Sequence, residues 1–247
     1  MKKYFFSILV LAFLFNINYL KGQSLSERVT YMQTPVLEDF ENQERTKKWV
    51  IGNTSPNVDR DVTSIKPIKG GPWALAVPDD KKQLCLGVKT GFTTRGYNFI
   101  EVLPPVYSTA LYKDIQVLFP DEIPNPAGER FIPIPGRCKK IDMWVAGRNY
   151  RYTLEIWLKD FNGFVYALNM GKLDYPGWRD LSVRIPGYIN QDEKYIPKEK
   201  PLKIMKFVLR ADPDERADRF YVYFDQLKVF TDVFIQRYDG DNIKDKW

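Results

Sequence analysis

Residues 140–159, KIDMWVAGRNYRYTLEIWLK, decide the fold class because apolar and polar side chains alternate along them. Every second residue is apolar from Ile141 to Val145 and again from Tyr150 to Leu158. A period of two is that of a β-strand with one buried face. This stretch therefore predicts two half-buried strands.

The link between the two strands, Ala146-Gly147-Arg148-Asn149, is typical of a hairpin turn. A hairpin would pair Val145 with Tyr150. On the outer face this register places Trp144 beside Arg151. It also places Lys140 beside Glu155 and Asp142 beside Thr153. These complementary neighbours favour the register, because a slip by one residue would turn the apolar side chains outward.

The remaining chain consists mostly of short β-like segments separated by Gly, Pro, Asn and Asp. Residues 120–136 contain five prolines and predict a long extended loop. The last long strand changes its apolar phase, which predicts a bulge near Asp225-Gln226. The predicted strands are Val36–Phe40, Lys48–Ile51, Trp73–Val77, Leu84–Val88, Tyr97–Leu103, Ile115–Phe119, the two strands above, and those containing Phe164–Leu168, Leu181–Ile185, Met205–Leu209 and Phe220–Phe230.

Even strand spacing without strand–helix alternation predicts an all-β fold. We expect an antiparallel two-sheet sandwich of jelly-roll type, like that of carbohydrate-binding modules, with long loops. The sandwich is predicted to span residues 35–231. A polar, flexible arm over residues 23–34 precedes it, and a C-terminal tail over residues 232–247 follows.

The first residues are typical of a secretory signal. Lys2 and Lys3 precede an apolar run, Tyr4–Phe15, which is interrupted only by Ser7. That run is shorter than the roughly 20 residues of a membrane span. Residues 1–22 are therefore predicted to be a cleaved signal peptide, and no membrane insertion is expected.

The charge balance excludes an obvious nucleic-acid-binding stripe. The whole chain carries a formal charge of +6, and removing residues 1–22 with their three lysines leaves about +3. The paired lysines, such as Lys47-Lys48 and Lys139-Lys140, are scattered among acidic residues. A mixed, solvated surface is the favoured interpretation.

The chain contains no histidine, which excludes Ser-His-Asp and Cys-His catalysis and imidazole metal ligands. We predict no catalytic, cofactor-binding or metal-binding residue. A carboxylate pair such as Asp142 and Glu155 would be the remaining catalytic arrangement. A cross-strand ion pair is the favoured role for Glu155. Asp239-Gly240-Asp241-Asn242 resembles part of a calcium loop, but it lacks the closing Glu and is interpreted as a polar turn.

The two cysteines, Cys85 and Cys138, lie in apolar, strand-like runs. Export would place them in a compartment that permits disulfides. The sequence leaves open whether they form a disulfide or remain two buried thiols.

Aromatic side chains are the candidate interface residues. Trp144 and Trp157 are predicted on the outer face of the hairpin, and Tyr238 and Trp247 in the tail. On the predicted register Trp157 lies beside Cys138, about 20 Å along the strand from Trp144 at 3.3 Å per residue. That distance is too long for one small sugar but suits a long glycan or a protein partner.

Several runs of the chain resemble the spirochaete flagellar filament outer-layer protein A family, the sheath proteins of periplasmic flagella. Their order and spacing cover the chain from about residue 36 to its C-terminus. The matching runs are Val36–Glu41 followed by Trp49-Val50, Met143–Gly147, Leu154–Asp160, Gly177–Leu181 and Tyr223–Val229.

The resemblance implies a periplasmic, non-enzymatic subunit that coats a flagellin core together with other sheath proteins. It also implies effects on filament stiffness, curvature and motility, with self-association along the filament as a further expectation. No catalytic residue and no cofactor is carried over. An exported carbohydrate-binding module or lectin is the main alternative, and a glycosidase is a more distant one.

Overall fold

The computed structural model describes residues 27–75, 83–119, 122–191, 200–216, 218–233 and 235–237. The predicted signal peptide, residues 1–22, and the tail residues from Tyr238 onward lie outside these ranges. The α-helices are α1 (Gln43–Thr46) and α2 (Lys113–Gln116). The strands are β1 (Glu27–Val29), β2 (Met32–Gln33), β3 (Val36–Glu38), β4 (Val50–Thr54), β5 (Ser64–Lys69), β6 (Leu84–Thr90), β7 (Phe99–Leu103), β8 (Ile132–Pro133), β9 (Arg137–Arg148), β10 (Tyr152–Lys159), β11 (Val165–Lys172), β12 (Pro176–Arg184), β13 (Lys203–Ala211), β14 (Phe220–Asp232) and β15 (Ile235–Arg237).

Two antiparallel sheets form a sandwich, which confirms the predicted fold class. One sheet has six strands in the order β11-β10-β13-β7-β4, with β8 beside β13. The other has seven strands in the order β12-β9-β14-β6-β5, with β2 and β3 beside β14. The eight strands β6, β7 and β9 to β14 have the connectivity of a jelly roll, in which consecutive strands lie in opposite sheets except for the hairpin of β10 and β11.

The predicted hairpin between β9 and β10 is wrong, although the alternation that suggested it is correct. Strand β9 lies between β12 and β14, whereas β10 lies in the opposite sheet between β11 and β13. A Cβ on Gly147 would lie 2.7 Å from the carbonyl oxygens of Leu173 and Tyr175. The end of β9 therefore packs against the β11–β12 link, and the following residues cross to the other sheet. Both apolar faces still point into one core, from opposite sides.

Aromatic rings fill the space between the sheets. Phe207 of β13 stacks on Trp49 at 5.8 Å and on Phe224 of β14 at 5.7 Å between ring centroids. Tyr152 of β10 stacks on Phe220 of β14 at 3.9 Å. All five side chains are almost fully buried. The Phe207–Phe224 and Tyr152–Phe220 contacts join strands of opposite sheets, so the core holds the two layers together by apolar burial and ring stacking.

The first half of the chain differs most from the sequence-based prediction. The predicted strand Ile115–Phe119 is instead the end of α2 and the turn after it, and Trp73–Leu75 forms a 3₁₀ turn. Strand β5 was not predicted because Pro67 interrupts its pattern. A proline fits there because, among the residues that the structure describes, β5 is the end strand of its sheet and pairs only with β6.

The predicted bulge near Asp225-Gln226 is confirmed. The register between β14 and β9 shifts between Asp225 and Lys228, and Gln226 has a φ of 47°. Phe224 and Leu227 are three positions apart, a spacing that would place them on opposite faces of a regular strand. The shift explains why both point inward.

The chain divides into two compact units, Met32–Val233 and a second unit made of Met1–Tyr31 with Phe234–Trp247. The sandwich is the first unit. In the second unit the structure describes one antiparallel pair, β1 with β15. Within the sequence predicted as a flexible arm, residues 23–34, β1 and β2 are therefore strands with partners. In the described part of the chain no helix is long and apolar enough to cross a membrane.

Candidate interaction surfaces

The two carboxylates considered for catalysis lie in different sheets and each has a basic partner. Glu155 accepts a bond from Nε of Arg210 at 2.7 Å, and Asp142 lies 2.8 Å from Nζ of Lys140. Glu155 thus forms the predicted kind of ion pair, but with Arg210 and not with Lys140. Over the residues that the structure describes, no group of three or more Cys, Asp or Glu side chains could hold a metal ion.

Both cysteines are buried free thiols in the structure. Cys85 lies on β6 and Cys138 on β9, and β14 separates these strands in the sheet. Burial raises the pKa of each thiol to about 12. A thiol with such a pKa is almost entirely protonated at neutral pH, and neither cysteine has the thiolate that nucleophilic chemistry requires.

Trp157 lies on the outer face of the six-stranded sheet and is held by polar neighbours. Its indole Nε1 donates to Oε2 of Glu155 at 3.0 Å. The ammonium of Lys206 lies 4.2 Å from the ring centroid, and Lys206 is also paired with Glu101. A cation therefore covers one face of the indole. As an interface residue Trp157 remains a prediction.

Trp144 lies on the outer face of the other, seven-stranded sheet. Its backbone neighbours are Asp180 on β12 and Asp225 on β14. The expected neighbour Arg151 lies instead near Asp212 and Glu215. Because Trp144 and Trp157 face outward from opposite sheets, they cannot line one common binding site.

More aromatic residues share the outer face with Trp144. One row across the sheet runs from Trp178 on β12 through Ala146 on β9 to Tyr223 on β14 and Gly87 on β6. Ala146 separates the two rings, and Gly87 follows Tyr223 at the end of the row. We call Trp144, Trp178, Tyr221 and Tyr223 the aromatic face.

A cation lies on the aromatic face. The guanidinium of Arg148 is 5.3 Å from the ring centroid of Tyr221 and 5.5 Å from that of Tyr223. Lys89 approaches Tyr221 from the neighbouring strand at 5.8 Å. Aromatic and arginine side chains are the residue types that most often anchor protein interfaces.

A charged groove of about 570 Å³ borders the aromatic face on the same sheet. Two ion pairs cross it, Lys140 with Asp142 and Lys228 with Asp180, both at 2.8 Å. Four basic and two acidic side chains line the groove, so its lining is net positive. The lining residues are Thr34, Lys139, Lys140, Asp142, Asp180, Arg184, Lys228 and Phe230.

Sequence reasoning missed Trp178 as a surface residue, although a signal was present. Leu181 was predicted to point inward, and alternation then turns Asp180 and Trp178 outward. It also missed Trp73, which is 94% exposed, and Tyr97, which is 87% exposed. Both lie in links between strands, where periodicity gives no direction. The other predicted interface residues, Tyr238 and Trp247, lie outside the described residues.

Two buried carboxylates next to these surfaces have raised pKa values. Burial raises the pKa of Glu38 to about 7, although the neighbouring Arg45 lowers it. Burial also raises the pKa of Asp225 to about 7, with Glu41 and Asp39 contributing in the same direction. Oδ1 of Asp225 accepts the N–H of Gln226 at 2.8 Å, whereas Oδ2 has no partner.

Comparison with known proteins identifies relatives of this chain. Residues 33–239 match the family described as flagellar filament outer layer protein Flaa. A flagellar filament outer layer-like protein of Brachyspira hyodysenteriae is 29% identical over 191 residues, which are 76% of this chain and 77% of that protein. The flagellar filament outer layer protein of Borreliella burgdorferi is 27% identical over 159 residues, 58% of this chain but only 46% of that protein.

Among solved structures, a family 11 carbohydrate-binding module from Clostridium thermocellum, in complex with a mixed-linked tetrasaccharide, aligns with a TM-score of 0.41. The two share 12% identity, and the alignment covers 83% of this chain and 98% of that one. The family match, by contrast, extends over most of the sandwich described above. This chain belongs to the flagellar filament outer layer protein family.

Proposed function

We propose that this chain is a structural subunit that coats the flagellin core of a periplasmic flagellum, together with other sheath proteins. As such a coat it would influence the stiffness and curvature of the filament, and through them motility. The family match over residues 33–239 carries the proposal. The role requires no catalytic group, and we propose that the chain is not an enzyme.

The surfaces of the sandwich support an assembly role. The aromatic face and the groove beside it offer rings, a stacked arginine and paired charges on one side of a rigid sheet. A sheet face of this composition offers the aromatic and arginine side chains that commonly anchor protein partners.

Fractionation of periplasmic flagella tests the proposal. The protein should remain with filaments after they are purified away from the other periplasmic contents. A deletion strain should have thinner filaments or filaments of altered curvature, and weaker motility. Absence of the protein from carefully purified filaments would contradict the proposal.

A variant of the aromatic face adds a site-specific test to this experiment. Trp178→Ala should lower the amount of protein retained on filaments, because it removes a large ring from the outer face. Tyr97→Ala is the matched control, since Tyr97 is an exposed aromatic residue outside that face. Equal retention of both variants would show that the aromatic face does not contact the filament.

Glycan binding is a second candidate function. The row of Trp178 and Tyr223 around Ala146 favours it, because flat rings on a sheet can stack on sugar rings. A glycan array with purified protein distinguishes the two functions. Tight binding that Trp178→Ala abolishes would favour glycan recognition. If the protein bound no glycan on the array, the structural role would be the one supported.

A further inference from the structure

The strands at the ends of the two sheets differ in how their free edges are protected. An unpaired edge presents N–H and C=O groups that another chain can bind, and proteins usually block it with proline, charge or a bulge. Strand β12 carries Pro176 and three charged residues between Arg179 and Arg184. Strand β5 carries Pro67 and two lysines. Strand β4 has five residues, and its register shifts after Ile51.

Strand β11 has neither proline nor charge before Lys172, its last residue. In the described part of the chain β11 pairs with β10 alone. Its register with β10 is regular from Val165 to Asn169 and shifts only beyond Asn169. Five consecutive residues therefore form a straight, uncharged edge about 17 Å long, at about 3.4 Å per residue.

Apolar side chains flank this edge. Phe164 is 65% exposed, Val165 is 51% exposed and Tyr188 is 68% exposed. The ring of Tyr188 lies 6.0 Å from that of Tyr166 on β11. Exposed aromatic and aliphatic groups next to an unpaired edge would be buried by any strand that docked there.

We propose that β11 is the site at which a second copy of this chain binds, by antiparallel pairing of the two β11 strands about a two-fold axis. Antiparallel pairing of a strand with its own copy is self-complementary, since each residue i that faces residue j is matched by j facing i. The absence of charge from Val165 to Gly171 means that two copies do not repel each other there. The inference names a partner for the assembly role proposed above and, to that extent, rests on it.

The small area of the contact determines the conditions under which two copies pair. Two five-residue edges with three apolar side chains on each copy bury on the order of 1,000 Å², at or below the lower limit of stable complexes. Pairing is therefore weak between free molecules. It becomes favourable when neighbouring copies are held on the same filament, because their effective concentration is then high.

A cysteine scan along β11 tests the pairing in the full-length protein. Val165→Cys, Ala167→Cys and Asn169→Cys each place a thiol on the exposed face of the strand. A residue on the two-fold axis faces its own copy within the roughly 4.4–6.8 Å between Cα atoms that a disulfide needs. If the axis passes at Tyr166 or Leu168, a mixture of Val165→Cys with Ala167→Cys, or of Ala167→Cys with Asn169→Cys, forms the disulfide instead. The native thiols of Cys85 and Cys138 are at most 2% exposed and should not react.

The expected result is a covalent dimer at one of the three positions, or in one of the two mixtures, under mild oxidation and at least tenfold above the yield of Ser182→Cys. Ser182 is an exposed position on the protected edge β12 and provides the matched control. Adding Lys at a neighbouring exposed position, for example Ala167→Lys with Val165→Cys, should abolish the dimer without lowering the melting temperature. Oxidation is carried out on purified protein at several hundred micromolar and on isolated filaments.

A yield no higher than that of Ser182→Cys in both preparations overturns the proposal, as does cross-linking of β11 to a different protein. Retention on filaments without a β11 dimer contradicts only the pairing. If the purified protein gives a β11 dimer but the protein is absent from purified filaments, only the coat function is contradicted.

Discussion

Arg45 is a buried cation that three carboxylates surround. Its side chain is 3% exposed, and its guanidinium contacts Glu38 at 3.0 Å, Asp114 at 2.8 Å and Asp39 at 3.5 Å. It also lies 5.2 Å from the ring centroid of Tyr112. One side chain therefore joins β3 and α1 to α2, segments that are about 70 residues apart in the sequence.

Arg45→Met should lower the free energy of unfolding by about 3–5 kcal/mol, because it leaves Glu38 buried without its partner. Arg151→Met is the matched control. Arg151 is 52% exposed and its ion pairs are 3.8 and 3.9 Å long, so its loss should be about 0–1 kcal/mol. Urea denaturation measures both values, and similar small losses would show that the buried network contributes little.

The raised pKa of Asp225 makes stability depend on pH. The folded state holds a proton on Asp225 up to a pH of about 7, whereas an unfolded aspartate loses it near pH 4. Between these values the folded protein binds more protons, so stability falls as the pH rises. We expect the free energy of unfolding to be lower at pH 8 than at pH 5 by roughly 3 kcal/mol from this group alone, at about 1.4 kcal/mol per pKa unit.

Asp225→Asn should remove that part of the pH dependence and stabilise the protein at pH 8. Urea denaturation at pH 5 and pH 8 compares it with the wild type and with Asp174→Asn, a control at an exposed residue. If Asp225→Asn kept the full difference between the two pH values, another group would be responsible.

At the residue scale, the sequence predicts whether a side chain points inward or outward better than it predicts which residues lie beside it. Alternation correctly turns Trp144 and Trp157 outward. It does not show that they lie on opposite sheets, because the sheet to which a strand belongs depends on partners far away in the chain. The covering of Trp157 by Lys206 could not be predicted for the same reason, since their strands are about 50 residues apart.

Strand β14 lies at the centre of the seven-stranded sheet and contains its main irregularity. Gln226 has a φ of 47°, a left-handed conformation that costs a non-glycine residue roughly 1–2 kcal/mol. Its N–H donates to Oδ1 of Asp225, which partly offsets that cost.

Gln226→Gly should raise the free energy of unfolding by about 1 kcal/mol, because glycine adopts this conformation without strain. Gln226→Val should lower it by a similar amount, since a β-branched residue is least tolerant of positive φ. Ser182→Gly on β12 is the control and should lower stability by about 0.5–1 kcal/mol, as glycine does inside a regular strand. Thermal unfolding would contradict the expectation if both glycine variants shifted in the same direction.

At the element scale, the second half of the chain was predicted more accurately than the first. Its strands are long and half-buried, so a period of two is visible in β9, β10 and β14. The first half has short strands, a proline within β5 and a one-turn helix, α2. Ile115 in this helix and Val117 just after it imitate the alternation of a strand. Short segments of this kind take their conformation from the contacts they make after folding.

The whole sandwich is one cooperative structure because side chains from both sheets share a core. Phe207 and Phe224 belong to different sheets and lie 5.7 Å apart. A double-mutant cycle of Phe207→Leu and Phe224→Leu should give a coupling of about 0.5–1.5 kcal/mol. Phe207→Leu with Phe220→Leu is the control, because Phe220 stacks on Tyr152 instead. Denaturant unfolding provides the four free energies, and equal couplings in both cycles would contradict a direct contact effect.

For the molecule as a whole, the fold class followed from strand spacing and turn residues, but the connectivity did not. Residues 146–149 have the composition of a hairpin turn, but in the structure Gly147 lies close against the β11–β12 link and β10 pairs in the other sheet. A sequence does not display such a contact between distant segments.

The jelly-roll connectivity has a mechanical consequence. Among the eight strands β6, β7 and β9 to β14, every connection except the β10–β11 hairpin passes from one sheet to the other. Force that pulls the layers apart is therefore carried by covalent backbone at each crossing, and not by side-chain packing alone. In the coat role proposed above, these crossings would keep the two layers together under repeated bending.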